Sequence, residues 1–474
     1  VATWLTQVSV IDGPVYLGLT LAAVAGAVAV LAVDRKSLRW WVFGLAAAVT
    51  VGLVGASVLV LDVLWRPWPE RLPARVVTWS ALAVAGVTLA TIRLATIRRT
   101  TSRLATDRPP SGRPATIGSA PVGTAQVGTA PVGRWRRRIA FATAGAVALV
   151  WGLAAVNREY GYLPTVGTVL GIAPPNTAAL PQLPPPQSDR ARPRPGQPLE
   201  TAWHAPPNMP TAGRVVRDTP IPGVESKFPA RSGWVYLPPA YLVPDPPALP
   251  VLVLIAGQPG TPRNWFDGGR LAQTMDRFAA QHAGLAPIVV VPDPLGDLLA
   301  NPMCLDSTLG QAETYLARDV PAWIRKTFAV DPDPAGWAIG GFSFGGTCGL
   351  QLVLRAPDVY RLFLNIAGQE EPTLGSRSRT VNAAFGGDDS AFRRVNPIDE
   401  MTRERYPDTA GVFVVGTEDG DVKQILRRLD EAAVACGMDT RWIEVPGRHS
   451  WPVAAEALEQ ALPWLARRMW ITQR

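Results

Sequence analysis

Trp337-Ala338-Ile339-Gly340-Gly341-Phe342-Ser343-Phe344-Gly345-Gly346-Thr347-Cys348-Gly349-Leu350-Gln351-Leu352-Val353-Leu354 decides how the second half of this 474-residue chain folds. An apolar, strand-like run leads into a G-x-S-x-G pentapeptide at Gly341 to Gly345, and an apolar helical pattern follows it. A serine on so tight a strand-to-helix turn sits at strained backbone angles, so its neighbours must be small. Gly341 and Gly345 leave room for the turn and for a substrate. The helix behind it points unpaired N–H groups at the reacting carbonyl, where they stabilise charge building on the oxygen. The reading makes Ser343 a nucleophile and the N–H of Phe344 one donor of an oxyanion hole.

Working outward, strand and helix patterns alternate on both sides of this turn. Residues 215–216 and 232–237 read as antiparallel strands. Residues 251–256, 288–292, 336–340, 362–366, 412–415 and 442–445 read as buried, β-branched sheet strands, with helical stretches such as 314–327 and 422–436 between them. Such alternation predicts an α/β domain, a mainly parallel sheet with helices on both faces. With a serine elbow, followed in chain order by an acid and a histidine, the expected architecture is the α/β-hydrolase fold.

The chain has three histidines, His204, His282 and His449. His204 lies in a proline-rich stretch and His282 near the end of an early helix, whereas His449 follows the last strand across Pro446-Gly447, within reach of a neighbouring strand tip. His449 is therefore the expected general base. The acid that orients it should lie beyond strand 412–415, in Gly416-Thr417-Glu418-Asp419-Gly420-Asp421. Asp419 is preferred for its place in the turn, with Glu418 and Asp421 as alternatives. The second oxyanion donor is expected from Gly257-Gln258-Pro259-Gly260 after strand 251–256. Gln258 is nominated, since Pro259 has no N–H. No Walker loop, dinucleotide fingerprint or H-E-x-x-H is present, and no metal or cofactor is expected.

The first part of the chain has a different texture, with long runs of Ala, Val, Leu and Gly. Four segments, near 13–33, 41–61, 76–92 and 139–156, approach the roughly 20 helical residues needed to cross a bilayer. They predict an all-α four-helix transmembrane region over 1–157, with Trp79, Trp135 and Trp151 extending the shorter spans at the interfaces. Repeated apolar runs and the lack of a basic start disfavour a cleavable signal peptide. Arg35, Lys36 and Arg39 in the first turn, and Arg98, Arg99, Arg103, Arg108, Arg113, Arg134, Arg136, Arg137 and Arg138 in a long loop over 93–138, mark both as cytoplasmic. The second loop, with three arginines and Glu70 between Arg66 and Arg75, falls outside, and four crossings then put everything after the fourth span outside the cytoplasm. The net charge of +8 is thus read as a topology signal; no nucleic-acid partner is expected. The echo of Gly118-Ser119-Ala120-Pro121-Val122-Gly123 through Gly133 reads as a flexible linker, and residues 158–210, with Pro184-Pro185-Pro186, as a proline-rich extracytoplasmic linker. The catalytic domain is expected over 211–474. Three cysteines are too few for a disulfide scaffold or a zinc site. Cys304 and Cys348 could pair if the domain lies outside the cytoplasm, and Cys436 reads as a buried apolar residue.

From about Gly213 onward the chain resembles the esterase branch of the α/β-hydrolases that contains esterase D-like enzymes and the antigen-85-type mycolyltransferases. The resemblance rests on Val235-Tyr236-Leu237-Pro238-Pro239-Ala240-Tyr241, on Tyr315-Leu316-x-x-Asp319-Val320-Pro321-x-Trp323-Ile324, on the elbow and on His449-Ser450-Trp451. It implies an acyl-enzyme mechanism, and Trp451 is nominated as a substrate contact. In mycolyltransferases an aspartate precedes the oxyanion-loop glycine and the acid is usually glutamate; here Ala256 precedes Gly257, and Glu418 stays an alternative to Asp419. The expected function is a plasma-membrane, extracytoplasmic serine esterase or acyltransferase acting on acyl esters of lipids or cell-envelope glycolipids. A non-catalytic binding or scaffold protein is the alternative, and the oligomeric state is left open.

Overall fold

The computed structural model describes residues 6–32, 40–65, 71–106, 132–178, 180 and 197–473. They form two compact units, one of residues 8–65 and 72–159, the other chiefly of residues 160–474.

The first unit is all helical: α1 (Gly13–Ala32), α2 (Trp40–Leu59), α3 (Ala74–Thr106) and α4 (Val132–Tyr160). Counting the π-helical turn Val60–Leu64 that continues α2, they supply four stretches long and apolar enough to cross a membrane, over 13–32, 40–64, 74–96 and 135–160. The third and fourth helices are longer than the apolar runs 76–92 and 139–156, because good helix formers and arginines continue the pattern past the apolar stretch. Small residues let the helices approach closely: a Cβ at Gly86 would lie 2.9 Å from Ala148 Cβ, and one at Gly145 would lie 3.1 Å from Ala90 Cβ. Trp79 and Trp151 pack edge to face at 5.6 Å, so these two rings brace one another. Arg93 is buried and donates through Nε and Nη2 to Val30 O at 3.2 and 2.9 Å, satisfying a carbonyl in the last turn of α1. Asp62 sits in a π-helical turn, Val60–Leu64, and accepts from Leu72 N–H at 3.1 Å. The loop cations Arg35, Lys36, Arg39, Arg66, Arg108 and Arg113, the glycine-rich repeat up to Val127-Gly128-Thr129-Ala130-Pro131, and Pro184-Pro185-Pro186 lie outside the described residues.

The second unit is an α/β domain around a nine-stranded sheet. Its strands are β1 (Thr177–Ala178), β2 (Arg214–Thr219), β3 (Gly233–Leu237), β4 (Val251–Ile255), β5 (Ile288–Val291), β6 (Trp337–Phe342), β7 (Leu362–Ile366), β8 (Ala410–Gly416) and β9 (Asp439–Val445). They lie in the order β1-β2-β3-β5-β4-β6-β7-β8-β9. Only β3 runs against its neighbours; every pair from β5 through β4 to β9 is parallel, as is β1 with β2. Strands β3 to β8 are buried along their whole length, as expected of strands covered on both faces. The principal covering helices are α5 (Leu271–Gln281), α6 (Val320–Thr327), α7 (Phe344–Arg355), α8 (Gly420–Ala435) and α9 (Trp451–Arg468). This is the α/β-hydrolase fold, with the serine turn at the C-terminal end of a central strand, where open α/β sheets place their sites.

The stretch 158–210 differs from the spacer expected of it. Residues 177 and 178 pair in parallel with Val215 and Val216, and Leu199 is fully buried while its N–H donates to Trp470 O at 2.8 Å. From Tyr160 onward the described parts of that stretch thus belong to the second unit, because scattered among the prolines are apolar side chains, Tyr162, Leu199 and Trp203, that pack on its core. Two of the shared motifs act as internal pins. Asp319 accepts from the N–H groups of Glu225 and Ser226 at 2.7 and 3.0 Å, and the Tyr241 hydroxyl accepts from Ala329 N–H at 2.7 Å.

Candidate active site

Ser343 stands between β6 and α7 with φ 56° and ψ −114°, a conformation that costs an L-residue energy and persists because the surroundings fix it. Its N–H donates to Ile366 O at 2.7 Å, and its carbonyl accepts from Gly346 and Thr347 N–H at 2.9 and 3.1 Å. The flanking glycines are required by close approach: a Cβ at either Gly341 or Gly345 would run into the carbonyl oxygen of Ile255 at the end of β4. That oxygen also accepts from Trp265 Nε1 at 2.9 Å. Phe344 opens α7, where backbone N–H groups have no partner within the helix.

The loops after β8 and β9 are stitched together by Thr417 N–H to Val445 O at 2.8 Å and Glu418 N–H to Gly447 O at 2.9 Å. This places Asp419 Oδ2 3.0 Å from His449 Nδ1. Glu418 turns to solvent and pairs with Arg448 at 3.2 Å, and Asp421 lies in the exposed first turn of α8. With Nδ1–H donating to Asp419, Nε2 is left as the acceptor, the tautomer a general base needs. Phe342, the residue before Ser343, packs against the His449 ring with centroids 4.8 Å apart.

The Gly257 to Gly260 loop lies against the serine: a Cβ at Gly257 would be 3.7 Å from Ser343 Cβ. Gln258 is buried, and its Nε2 donates to Leu299 O at 3.3 Å. Two further side chains hold the loop. Tyr162 Oη donates to Pro259 O and Arg231 Nη2 donates to Gly260 O, each at 2.8 Å. Arg231 is in turn fixed by Asp293, with Nε and Nη2 each 2.8 Å from a carboxylate oxygen, and this hydrogen bonding raises the guanidinium pKa further. Neither Tyr162 nor Arg231 was foreshadowed by a motif, because each acts from a segment with no local signature.

Trp451 is a correction. It is 1% exposed and packs against Phe342 at 5.2 Å, Trp265 at 5.4 Å and Tyr162 at 6.0 Å, so it supports the site from within and offers no face to a substrate. Cys304 and Cys348 form a disulfide with Cα atoms 5.6 Å apart, tying the loop before α6 to α7, and Cys436 is free and buried.

The arrangement has relatives. Over 456 residues the chain is 35% identical to an uncharacterized protein of Corynebacterium glutamicum, covering 95% of each. Among solved structures, a ferulic acid esterase is 21% identical and covers 55% of this chain and all of its own, with a TM-score of 0.47. An S-formylglutathione hydrolase from Agrobacterium tumefaciens is 20% identical, covering 55% of this chain and 98% of its own, with a TM-score of 0.45. Residues 230–465, from the turn before β3 into the helix after His449, match the family model described as "Putative esterase", and the chain belongs to that esterase family.

Proposed function

We propose that this chain is a membrane-anchored serine esterase or acyltransferase whose catalytic unit lies outside the cytoplasm and acts on acyl esters of lipids or cell-envelope glycolipids. The observation that carries the reading is the pairing of His449 Nδ1 with Asp419 Oδ2 at 3.0 Å, beside a serine held at φ 56° on the strand-to-helix turn. Ser343 Oγ attacks the ester carbonyl while His449 Nε2 takes its proton, and Asp419 stabilises the imidazolium. The N–H groups of Phe344 and Gln258 receive the oxyanion at the N-terminal end of α7, where the helix dipole adds to their effect. His449 returns the proton to the departing alcohol, leaving an acyl-serine. Water or an acceptor hydroxyl, deprotonated by the same histidine, then releases the acyl group.

The four apolar helices support anchoring. The Cys304–Cys348 disulfide supports an oxidising, extracytoplasmic setting. One experiment tests chemistry and side together: intact cells and lysed cells carrying the wild-type or Ser343→Ala protein are treated with a membrane-impermeant fluorophosphonate. Labelling of the wild type in intact cells, absent in Ser343→Ala, is expected. Labelling that persists in Ser343→Ala sinks the mechanism, and labelling only after lysis reverses the orientation.

A further inference from the structure

The loop that carries the Gln258 N–H is held chiefly from outside itself. Of its holding groups, Arg231 belongs to the turn before β3 and is locked by Asp293, a buried carboxylate of the same sheet region. Tyr162 is different in origin, since it lies two residues past Tyr160, the last residue of α4.

Several contacts fix where Tyr162 stands. Gly161 has φ 69°, and a Cβ there would strike the Pro452 ring at the start of α9. On the other side the backbone is equally tight, for a Cβ at Gly268 would lie 2.6 Å from Gly161 O and 2.7 Å from Trp451 Cβ. The Tyr162 ring packs edge to face against Trp451. Farther along, Arg263 donates through Nη1 to Gly171 O at 3.3 Å and through Nη2 to Ile172 O at 2.9 Å, while its Nε holds Asp267 at 2.8 Å. Burial raises the pKa of Asp267 despite this partner. Residues 177–178 then join the sheet as β1. Residues 161–178 are therefore a strap pinned to the catalytic unit at its start, middle and end, and its first pin is on the oxyanion loop.

Resting on the reading of Ser343 as nucleophile, we propose that Tyr162 is a positioning residue for oxyanion stabilisation, supplied to the site by the segment that leaves α4. An oxyanion donor works only if it is already aimed at the place the charge will occupy, because reorganising it during the reaction costs the stabilisation it gives. The loop Gly257 to Gly260 has glycine at both ends and would be free to turn its peptide planes. The Tyr162 hydroxyl on Pro259 O and the Arg231 guanidinium on Gly260 O fix the Pro259–Gly260 and Gly260–Thr261 peptides, and Pro259, with its restricted φ, joins the first of them to Gln258. Removing the hydroxyl leaves the ring contact with Trp451 in place and loosens only the loop. Since ground-state binding of an acyl group does not depend on the oxyanion, the loss falls on the chemical step.

The test uses the full-length protein in detergent micelles, as wild type and as Tyr162→Phe, with a fluorophosphonate as the reacting probe and an alkyl trifluoromethyl ketone as a tetrahedral-anion mimic. The expected result is a kinact for labelling that falls roughly tenfold in Tyr162→Phe at unchanged KI, the size of one lost hydrogen bond. Ketone affinity should fall by the same factor, with the unfolding midpoint little changed. Wild-type kinact and ketone affinity in Tyr162→Phe overturn the inference, as does a weakened KI at constant kinact, which would make Tyr162 a substrate contact. A lower unfolding midpoint with unaltered labelling overturns it too, since the role would then be structural alone. A wild-type protein that is not labelled, or one labelled equally in Ser343→Ala, overturns the serine-hydrolase reading itself, which a defect confined to Tyr162→Phe does not.

Discussion

In the proposed mechanism Ser343 and Gln258 serve the same carbonyl, yet they are held by different means. Ser343 is set by backbone: its own N–H on Ile366 O, two helical N–H groups on its carbonyl, and two glycines pressed against Ile255 O. Gln258 sits in a loop set by side chains, one of them from Tyr162, 97 positions before the proline it holds. A backbone-held turn has no adjustable part, so it tolerates almost no substitution. A side-chain-held loop can be loosened one bond at a time. The His449 and Asp419 pair combines both means, because stitched backbone loops deliver the side chains, and the Asp419 carboxylate and the Phe342 ring then hold the imidazole.

The largest expected effect comes from attacking the backbone-held turn. Gly345→Ala places a Cβ against Ile255 O, a backbone atom that β4 and Trp265 hold in place, so fluorophosphonate labelling should fall to background. The unfolding free energy should drop by about 2 kcal/mol, as overpacking does. Near-normal labelling in this variant would show that the turn yields, and the contrast with the oxyanion loop would collapse.

Next in size is Asp419→Asn, which favours the wrong imidazole tautomer and should slow acylation about a thousandfold, while Glu418→Gln, at an exposed pair with Arg448, should change it less than about twofold. Steady-state hydrolysis of a p-nitrophenyl ester checks both. The opposite ranking would transfer the role of acid to Glu418. The roughly tenfold effect expected of Tyr162→Phe follows in order.

The smallest effect should come from a side-chain network away from the serine. Arg355 at the end of α7 lies between Glu313 at 2.8 Å and Glu400 at 3.2 Å, and burial pushes the Glu400 carboxyl up to about 7 from 4.5. The folded protein therefore holds this proton more tightly than the unfolded chain does. Stability from this group is greatest below pH 4.5, declines as pH rises toward about 7, and is level above it. Thermal unfolding should accordingly show a lower midpoint at pH 8 than at pH 5.5, and Glu400→Gln should flatten that difference while leaving kinact unchanged. An undiminished slope in Glu400→Gln would assign it to another group.

The same contrast explains which parts of the site are legible in the sequence. The Ser343 turn was legible because everything that shapes it lies within a few residues: Gly341, Gly345, the apolar strand and the apolar helix. His449 stands out by scarcity and Asp419 by its place beyond a β-branched strand, and the fold brings these two side chains together. Tyr162 and Arg231 were not legible, because a tyrosine before a proline-rich stretch and an arginine in a turn announce nothing until the fold brings them to Pro259 and Gly260. Trp451 misled because a tripeptide shared with a family says where a residue stands in the chain and nothing about which way its ring faces. The reach of the strap was also hidden, since two residues, Thr177 and Ala178, are too few to show a strand period.

Those two residues have a further consequence. An exposed strand edge offers unpaired N–H and C=O groups to any passing chain, and sheets that survive at high local concentration blunt their edges. On one side the sheet ends in β1, two residues long and followed by prolines, which is too short to template an added strand. On the other it ends in β9, whose Asp439, Arg441 and Glu444 put charge along the rim. A catalytic unit finished in this way resists edge-to-edge association even when many copies are crowded together on one surface.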